Sequence, residues 1–271
     1  MLNSDLRTAG NGQDNHQQSD WLTTTLAAQP EAWALFLDID GTLIDLAPSP
    51  DAIVVPTGLP QTLNAIADRL EGALALVTGR ALAYADQLFQ PYCFPIAGLH
   101  GCERRNAQRQ VDRIIPTAEF EEMKASLAAA ATQWPGVLIE DKGAAIAAHY
   151  RQAPQWRVQL TEAVEHHLLQ AGQDFTLQRG KMVLEIRPVH ANKGSALRAY
   201  LEEAPFRGRR PIAIGDDLTD EEMFRVANSF GGHSIRIADL PGSTEAHGII
   251  PSAANLRDVL RKAANMGRSV T

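Results

Sequence analysis

The 271-residue chain has only two cysteines, Cys93 and Cys102. Neither stands in the paired Cys/His spacing of a zinc site, and nothing suggests a disulfide framework. They read as reduced thiols near a strand, as expected of a cytoplasmic protein. Basic charge is scarce too: 25 Lys and Arg face 32 Asp and Glu, a formal net charge of -7. That argues against nucleic acid as the main partner, because phosphate backbones recruit basic surfaces. A site for a small anion stays open, since local charge can differ from the average. No apolar run is long enough to span a bilayer. No basic start followed by an apolar stretch marks a secretory signal. Internal repeats are missing. Aromatic residues make up 6% of the chain, and Trp21, Trp33, Trp134 and Trp156 share no common spacing; they read as packing residues or surface anchors. Residues 1–29 are mostly polar, as in Asn11-Gly12-Gln13-Asp14-Asn15-His16, and are expected to be a disordered tail. The polar end after Lys262 is expected to fray.

What is present is a globular composition, 45% hydrophobic and long enough for one large or two modest domains. Between Ala32 and His100, apolar strands alternate with amphipathic segments. Ala34–Asp38, Ala73–Thr78 and Pro95–Leu99 read as strands, and Leu59–Leu70 and Ala81–Phe89 as helices. The pattern then changes. Gln108–Ile115 reads as an extended ribbon, and Ala118–Gln133 and Pro154–Gln170 as helices. Two hairpins are expected around Lys142-Gly143 and Arg179-Gly180-Lys181. From Asn192 the alternation returns through Lys193–Glu202, Pro211–Gly215, Thr219–Ala227, Ser234–Ile237 and Asn255–Lys262. The expected fold is α/β: a doubly wound, Rossmann-like parallel-sheet core over residues 30–105 and 189–264. A smaller α+β domain is inserted at 106–188. Ligands in such cores bind beyond the carboxyl ends of the strands.

The motifs that carry chemistry fall at those ends. Asp38-Ile39-Asp40-Gly41-Thr42-Leu43 follows the apolar run Ala32–Leu37. Two carboxylates this close repel, and a divalent cation such as Mg²⁺ relieves them. The bland alternative is that one Asp starts a turn and the other caps a helix. An aspartate at the strand end can attack a phosphoryl group. Asp40, two residues on, suits the acid for a leaving alkoxide and then the base for a hydrolytic water. Thr78, with the N–H groups of Gly79 and Arg80, would form an anion cradle at a helix start, unless Thr78 merely caps that helix. Arg80 could bond phosphate or orient an acid. Lys193 sits in the first turn of a helix, against the dipole, and is assigned to the phosphate and to Asp38. In Gly215-Asp216-Asp217-Leu218-Thr219-Asp220, Asp216 is the expected metal ligand beside Asp38 and Asp40. Asp217 or Asp220 reads as a helix cap, and Asp220 can instead fix Lys193.

The order Asp-x-Asp-Gly-Thr, Thr-Gly-Arg, Lys-Gly and Gly-Asp-Asp-x-x-Asp resembles the haloacid dehalogenase superfamily of phosphohydrolases, over about Ala32–Lys262. The insertion resembles the α+β cap of one of its branches. Gly98-x-His100-Gly101-x-Glu103, Glu140-x-Lys142-Gly143, His149-Tyr150-Arg151 and Gly180-Lys181-x-x-x-Glu185 are similar to the bacterial single-domain trehalose-6-phosphate phosphatases. That resemblance implies a small-molecule sugar phosphate as substrate. It implies contacts to it from Arg80, His100, Glu140, Lys142, Arg151, Lys181 and Glu185, with Gly79, Asp217 and Asp220 in support. Carboxylates accept from adjacent sugar hydroxyls and lysines donate to them; taken singly, each of these charges would read as a solvated hairpin residue.

The expected chemistry is hydrolysis of trehalose 6-phosphate to trehalose and phosphate, the last step of trehalose biosynthesis, through an aspartyl-phosphate on Asp38. Mg²⁺ would be held by Asp38, the carbonyl of Asp40, and Asp216. The chain is expected to act as a cytoplasmic monomer with no nucleic-acid or membrane partner. The rival readings are another capped sugar-phosphate phosphatase, a phosphomutase, or a non-catalytic module that binds a phosphorylated ligand.

Overall fold

A computed structural model describes residues 8–47, 53–180, 182–240 and 242–266. The chain divides into two compact units: Asp112–Ala191, and the segments before and after it. In chain order the larger unit begins with α1 (Thr8–Ala28), β1 (Trp33–Leu37), α2 (Leu59–Arg69), β2 (Leu74–Val77), α3 (Leu82–Leu88), β3 (Ile96–Gly98) and β4 (Glu103–Arg105), and β5 (Val111–Arg113) runs across the boundary at Asp112. The smaller unit holds α4 (Ala118–Ala131), β6 (Leu138–Asp141), β7 (Ile146–His149), α5 (Arg157–Ala171), β8 (Phe175–Gly180) and β9 (Val183–Pro188). The larger unit resumes with α6 (Lys193–Leu201), β10 (Arg210–Gly215), α7 (Glu221–Ser229), β11 (His233–Ile237), β12 (Gly248–Ile250) and α8 (Ala253–Asn265).

The larger unit is built on a sheet of order β12-β11-β10-β1-β2-β3-β4-β5. The pairs from β12 through β3 are parallel, and β3 meets β4 antiparallel. Every residue of β1, Trp-Ala-Leu-Phe-Leu, is buried. A parallel strand covered on both faces needs such an unbroken apolar run. The strand order reverses between β1 and β10, where Leu37 lies opposite Ile214. The residues just after them, Asp38 and Gly215-Asp216, therefore flank the topological switch point. Gly194 lets α6 and α7 approach: a Cβ there would stand 2.6 Å from the Glu222 carbonyl oxygen.

The smaller unit has its own antiparallel sheet, β6-β7-β9-β8. Phe120, Leu127, Leu160 and Val164 of its helices pack on Ile146, Ala148, Leu184 and Ile186. Phe120 stacks on Phe175 with ring centroids 4.1 Å apart.

Several expectations need correction. The expected tail of residues 1–29 contains the 21-residue helix α1; residues 1–7 lie outside the described residues, as does the chain end from 267. Leu22 and Leu26, one helical turn apart, are fully buried. Trp21 packs edge-on to Trp33 at 5.7 Å, and Gln18 Oε1 lies 2.9 Å from His233 Nε2. Few apolar residues suffice to order this segment because the edge of the large sheet supplies their partners. The smaller unit starts at Asp112 rather than at 106, because β4 pairs with β3 and extends the large sheet. Thr219 does not begin α7; Leu218–Asp220 is a 3-10 turn ahead of it. Strand β12 had no counterpart in the expected elements.

Candidate active site

Asp38 leaves β1 still hydrogen-bonded to the sheet, its N–H donating to the Ile214 carbonyl at 2.9 Å. The residue is 4% exposed. The chain then turns at Gly41, whose φ of 76° is left-handed. A Cβ at Gly41 would stand 2.2 Å from Asp216 Oδ2, so no side chain fits between the turn and that carboxylate. Thr42 is fully buried and donates to Asp216 Oδ1 at 3.3 Å.

Lys193 enters from the first turn of α6. Asn192 caps this helix, accepting from Ser195 N–H at 2.8 Å. The Lys193 ammonium is 2.6 Å from Asp38 Oδ1 and 2.8 Å from Asp220 Oδ1. Its charge persists although burial opposes it, because Asp220 and Asp38 raise its pKa. The second oxygen of Asp220 accepts from the N–H groups of Asp216 and Asp217, each at 3.1 Å. Asp220 thus both orients Lys193 and closes the Asp216 loop. Asp217 is exposed and caps the turn through Leu218 N–H at 2.7 Å.

Among the described residues, Asp38, Asp216 and Asp220 offer carboxylate oxygens within 4.8 Å of one another. Three acids therefore cluster beside one ammonium, which contacts two of them, Asp38 and Asp220. Burial pushes Asp38 well above the usual carboxylate range, against the pull of Lys193, with Asp220 and Asp216 adding to the rise. Burial likewise lifts Asp216 to about 6, with Asp220 next in effect. Lys193 and the loop amides already engage Asp220, so Asp38 and Asp216 are left to face a further cation. Hard oxygen donors with no soft ligand suit Mg²⁺, and the space a Gly41 side chain would take from Asp216 is kept open. The residues fit that ion.

Asp40 is clamped by Arg80, whose Nε and Nη2 each lie 2.6 Å from a carboxylate oxygen. The Arg80 guanidinium also lies 4.8 Å from the centre of the Tyr84 ring. Of the two roles open to Arg80 in the sequence, this geometry matches orientation of the acid. The expected anion cradle is altered. Arg80 N–H donates to the buried Thr78 Oγ1 at 3.1 Å, and α3 starts only at Leu82. The helix end is occupied by Glu103, whose carboxylate accepts from Leu82 N–H. His100 has a left-handed φ of 56°, and its N–H donates to the Thr78 carbonyl at 2.9 Å. A Cβ at Gly79 would meet the His100 ring at 2.7 Å. His100 thus lies against the Thr78-Gly79 turn. Sequence reasoning gave no role to Thr42 or Glu103, although both stand inside the quoted motifs.

In the smaller unit, Lys142 Nζ is 2.8 Å from Glu185 Oε2, and His149 Nε2 is 2.8 Å from Glu140 Oε2. The hydrogen bond from His149 holds the Glu140 carboxyl below its usual value, with Lys142 assisting. Arg151 is exposed in the turn after β7. Lys181 lies outside the described residues. The structure therefore gathers Asp38, Asp40, Thr78, Gly79, Arg80, His100, Lys193, Asp216, Asp217 and Asp220 in the larger unit. It gathers Glu140, Lys142 and Glu185 on the strands and turn of the smaller one.

Comparison with known proteins agrees in both sequence and fold. The family described as trehalose-phosphatase matches residues 36–258. A probable trehalose-phosphate phosphatase of Sinorhizobium fredii is 57% identical over 237 residues, covering 88% of this chain and 89% of the relative. Trehalose-6-phosphate phosphatase of Escherichia coli K12 is 42% identical, covering 83% of this chain and 85% of that one. Among solved structures, the C-terminal domain of C. albicans trehalose-6-phosphate phosphatase superposes with a TM-score of 0.76 at 18% identity, covering 92% and 97% of the two chains. At that identity it speaks for the fold alone. Because the matched span runs from β1 into α8 and takes in every motif of the acidic cluster, this chain belongs to the trehalose-phosphatase family.

Proposed function

We propose that the protein hydrolyses trehalose 6-phosphate to trehalose and inorganic phosphate by two displacements on phosphorus. A carboxylate oxygen of Asp38 attacks the phosphorus, the bond to the sugar oxygen breaks, and Asp40 gives that oxygen its proton. Water then attacks the aspartyl-phosphate while Asp40 takes one of its protons. The bond from phosphorus to Asp38 breaks and phosphate leaves. Lys193 holds Asp38 in position and offsets charge on the phosphoryl oxygens. Thr78 and the Gly79 turn line the same strand ends and suit the phosphoryl group. Mg²⁺ bound by Asp38, the carbonyl of Asp40 and Asp216 would supply further charge neutralisation. Glu140, Lys142 and Glu185 of the smaller unit, with Arg151, Lys181 and His100, are the proposed sugar contacts. We take the enzyme to work as a monomer and in the cytoplasm, the compartment being in keeping with two free thiols.

The observation that carries this reading is the buried set Asp38, Lys193, Asp220 and Asp216 beside a separately held Asp40. A non-catalytic binder needs neither a buried nucleophile nor a second acid. The test is phosphate release from a panel of sugar phosphates with and without Mg²⁺. Trehalose 6-phosphate is expected to exceed glucose 6-phosphate in kcat/KM by at least about a hundredfold, since sites that leave polar groups unpaired with the wrong substrate discriminate by up to about 10⁴–10⁵-fold. Equal rates on both would overturn the substrate assignment. Transfer of phosphate to a second sugar hydroxyl, without free phosphate, would mark a mutase.

A further inference from the structure

One register row crosses the sheet of the smaller unit. Glu140 stands opposite Ala147, Ala147 opposite Glu185, and Glu185 opposite Gln178. Residues directly opposed on neighbouring strands share a face. The alternate positions Ile146, Ala148, Leu184 and Ile186 pack against Phe120, Leu127 and Leu160 of α4 and α5. The row therefore lies on the face turned away from the helices. Two of its members are the carboxylates proposed to contact sugar, kept apart by the methyl of Ala147.

Gln178 ends the row, and no motif in the sequence singled it out. Arg187, two residues past Glu185 on the same strand, donates from Nε to Gln178 Oε1 at 2.7 Å. Arginine has no acceptor, so chemistry alone decides the orientation of this amide. Its oxygen meets Arg187 and its NH₂ turns away. Arg187 is anchored in turn by Nη1, which donates to the Ala191 carbonyl. The Gln178 NH₂ has no partner among the described residues. The row thus sets a pair of fixed donors beside the acceptor Glu185.

We propose that Gln178 is a further specificity-determining residue, donating to a sugar hydroxyl adjacent to the one that Glu185 accepts from. Neighbouring hydroxyls on a pyranose each donate and accept, while a carboxylate only accepts. An acceptor next to a donor in one row satisfies such a pair, and a row of carboxylates alone does not. Arg187 acts through Gln178 as a positioning residue. This inference rests on the reading of Glu140 and Glu185 as sugar contacts.

The test compares Gln178→Met, which keeps the shape but removes both the donors and the oxygen that accepts from Arg187, with Glu185→Gln as its control. Each variant is assayed on trehalose 6-phosphate and on p-nitrophenyl phosphate, which has no sugar. For Gln178→Met the ratio of the two kcat/KM values should fall about fivefold to tenfold, mainly through KM for the sugar phosphate, the scale of one hydrogen bond. If Glu185→Gln lowers that ratio and Gln178→Met leaves it unchanged, the role of Gln178 is overturned while the sugar-binding reading stands. If neither variant changes the ratio, the sugar-binding reading falls and this inference with it.

Discussion

Lys193 is the residue on which the charge balance of the larger unit depends. It is 3% exposed and touches two acids that are 4% and 0% exposed. Removing one partner from a buried ion pair leaves the others uncompensated, at a cost of about 3–5 kcal/mol. Lys193→Met is therefore expected to lower the free energy of unfolding, measured by urea denaturation, by that amount as well as to abolish turnover. A variant with native stability would show that the acids are neutral in the resting protein. Asp38→Asn is expected to stop phosphate release while leaving the far-ultraviolet spectrum and melting temperature near those of the parent, because Asp220 still pairs with Lys193 and the repulsion between Asp38 and the other acids is removed. Substantial turnover by that variant would exclude Asp38 as the nucleophile. Both residues were legible in the sequence because the backbone pattern alone puts them at strand and helix ends. The Arg80 clamp on Asp40 was not, since its partners are 40 positions apart and the choice between phosphate and acid depends on where α3 begins.

At the scale of elements, α1 is the feature that composition concealed. Leu22 is fully buried on it, so Leu22→Ala should destabilise the protein by about 2–5 kcal/mol in chemical denaturation. A disordered segment would show no change. The contact between α1 and the sheet edge also carries a pH dependence. Burial, and then the nearby His247, lower the His233 pKa to about 4. A base whose folded value lies below its unfolded value stabilises the fold fully at pH above the unfolded value. That contribution disappears as the pH falls from about 6.5 toward 4. The melting temperature should drop over that window, and His233→Gln should flatten the drop. Hydrogen exchange in α1 should accelerate over the same range. Helix α1 was missed because it has few apolar residues; strand β12 is three residues long, too short for a periodicity.

At the scale of the whole molecule, the proposed Mg²⁺ site would couple binding to stability. A ligand that binds only the folded state at a hundred times its Kd stabilises by about 2.7 kcal/mol, or about 5–10 °C in Tm for a chain of this size. Saturating Mg²⁺ should produce such a rise at neutral pH, and Asp216→Asn should abolish it. Because Asp216 takes up its proton near pH 6 in the ion-free protein, the rise should shrink as the pH falls below that value. An equal rise in the Asp216→Asn protein would move the ion elsewhere. Among the described residues no helix is long and apolar enough to cross a membrane.

The alternation of buried strands and helices, the interrupting α+β segment and the order of the acidic, threonine and lysine motifs were determined by the sequence itself. Each depends on local periodicity and on residues that stand where an element ends. Only the tertiary structure decided which charges meet. It sent Asp220 to Lys193, left Asp38 facing Asp216, gave Arg80 to Asp40, and aligned Gln178 with Glu185. The physical reason is that the charge pairings join residues 27 or more positions apart, and that Gln178 meets Glu185 only through the register of β8 on β9. They follow from strand order and register, which a pattern of apolar and polar residues does not encode.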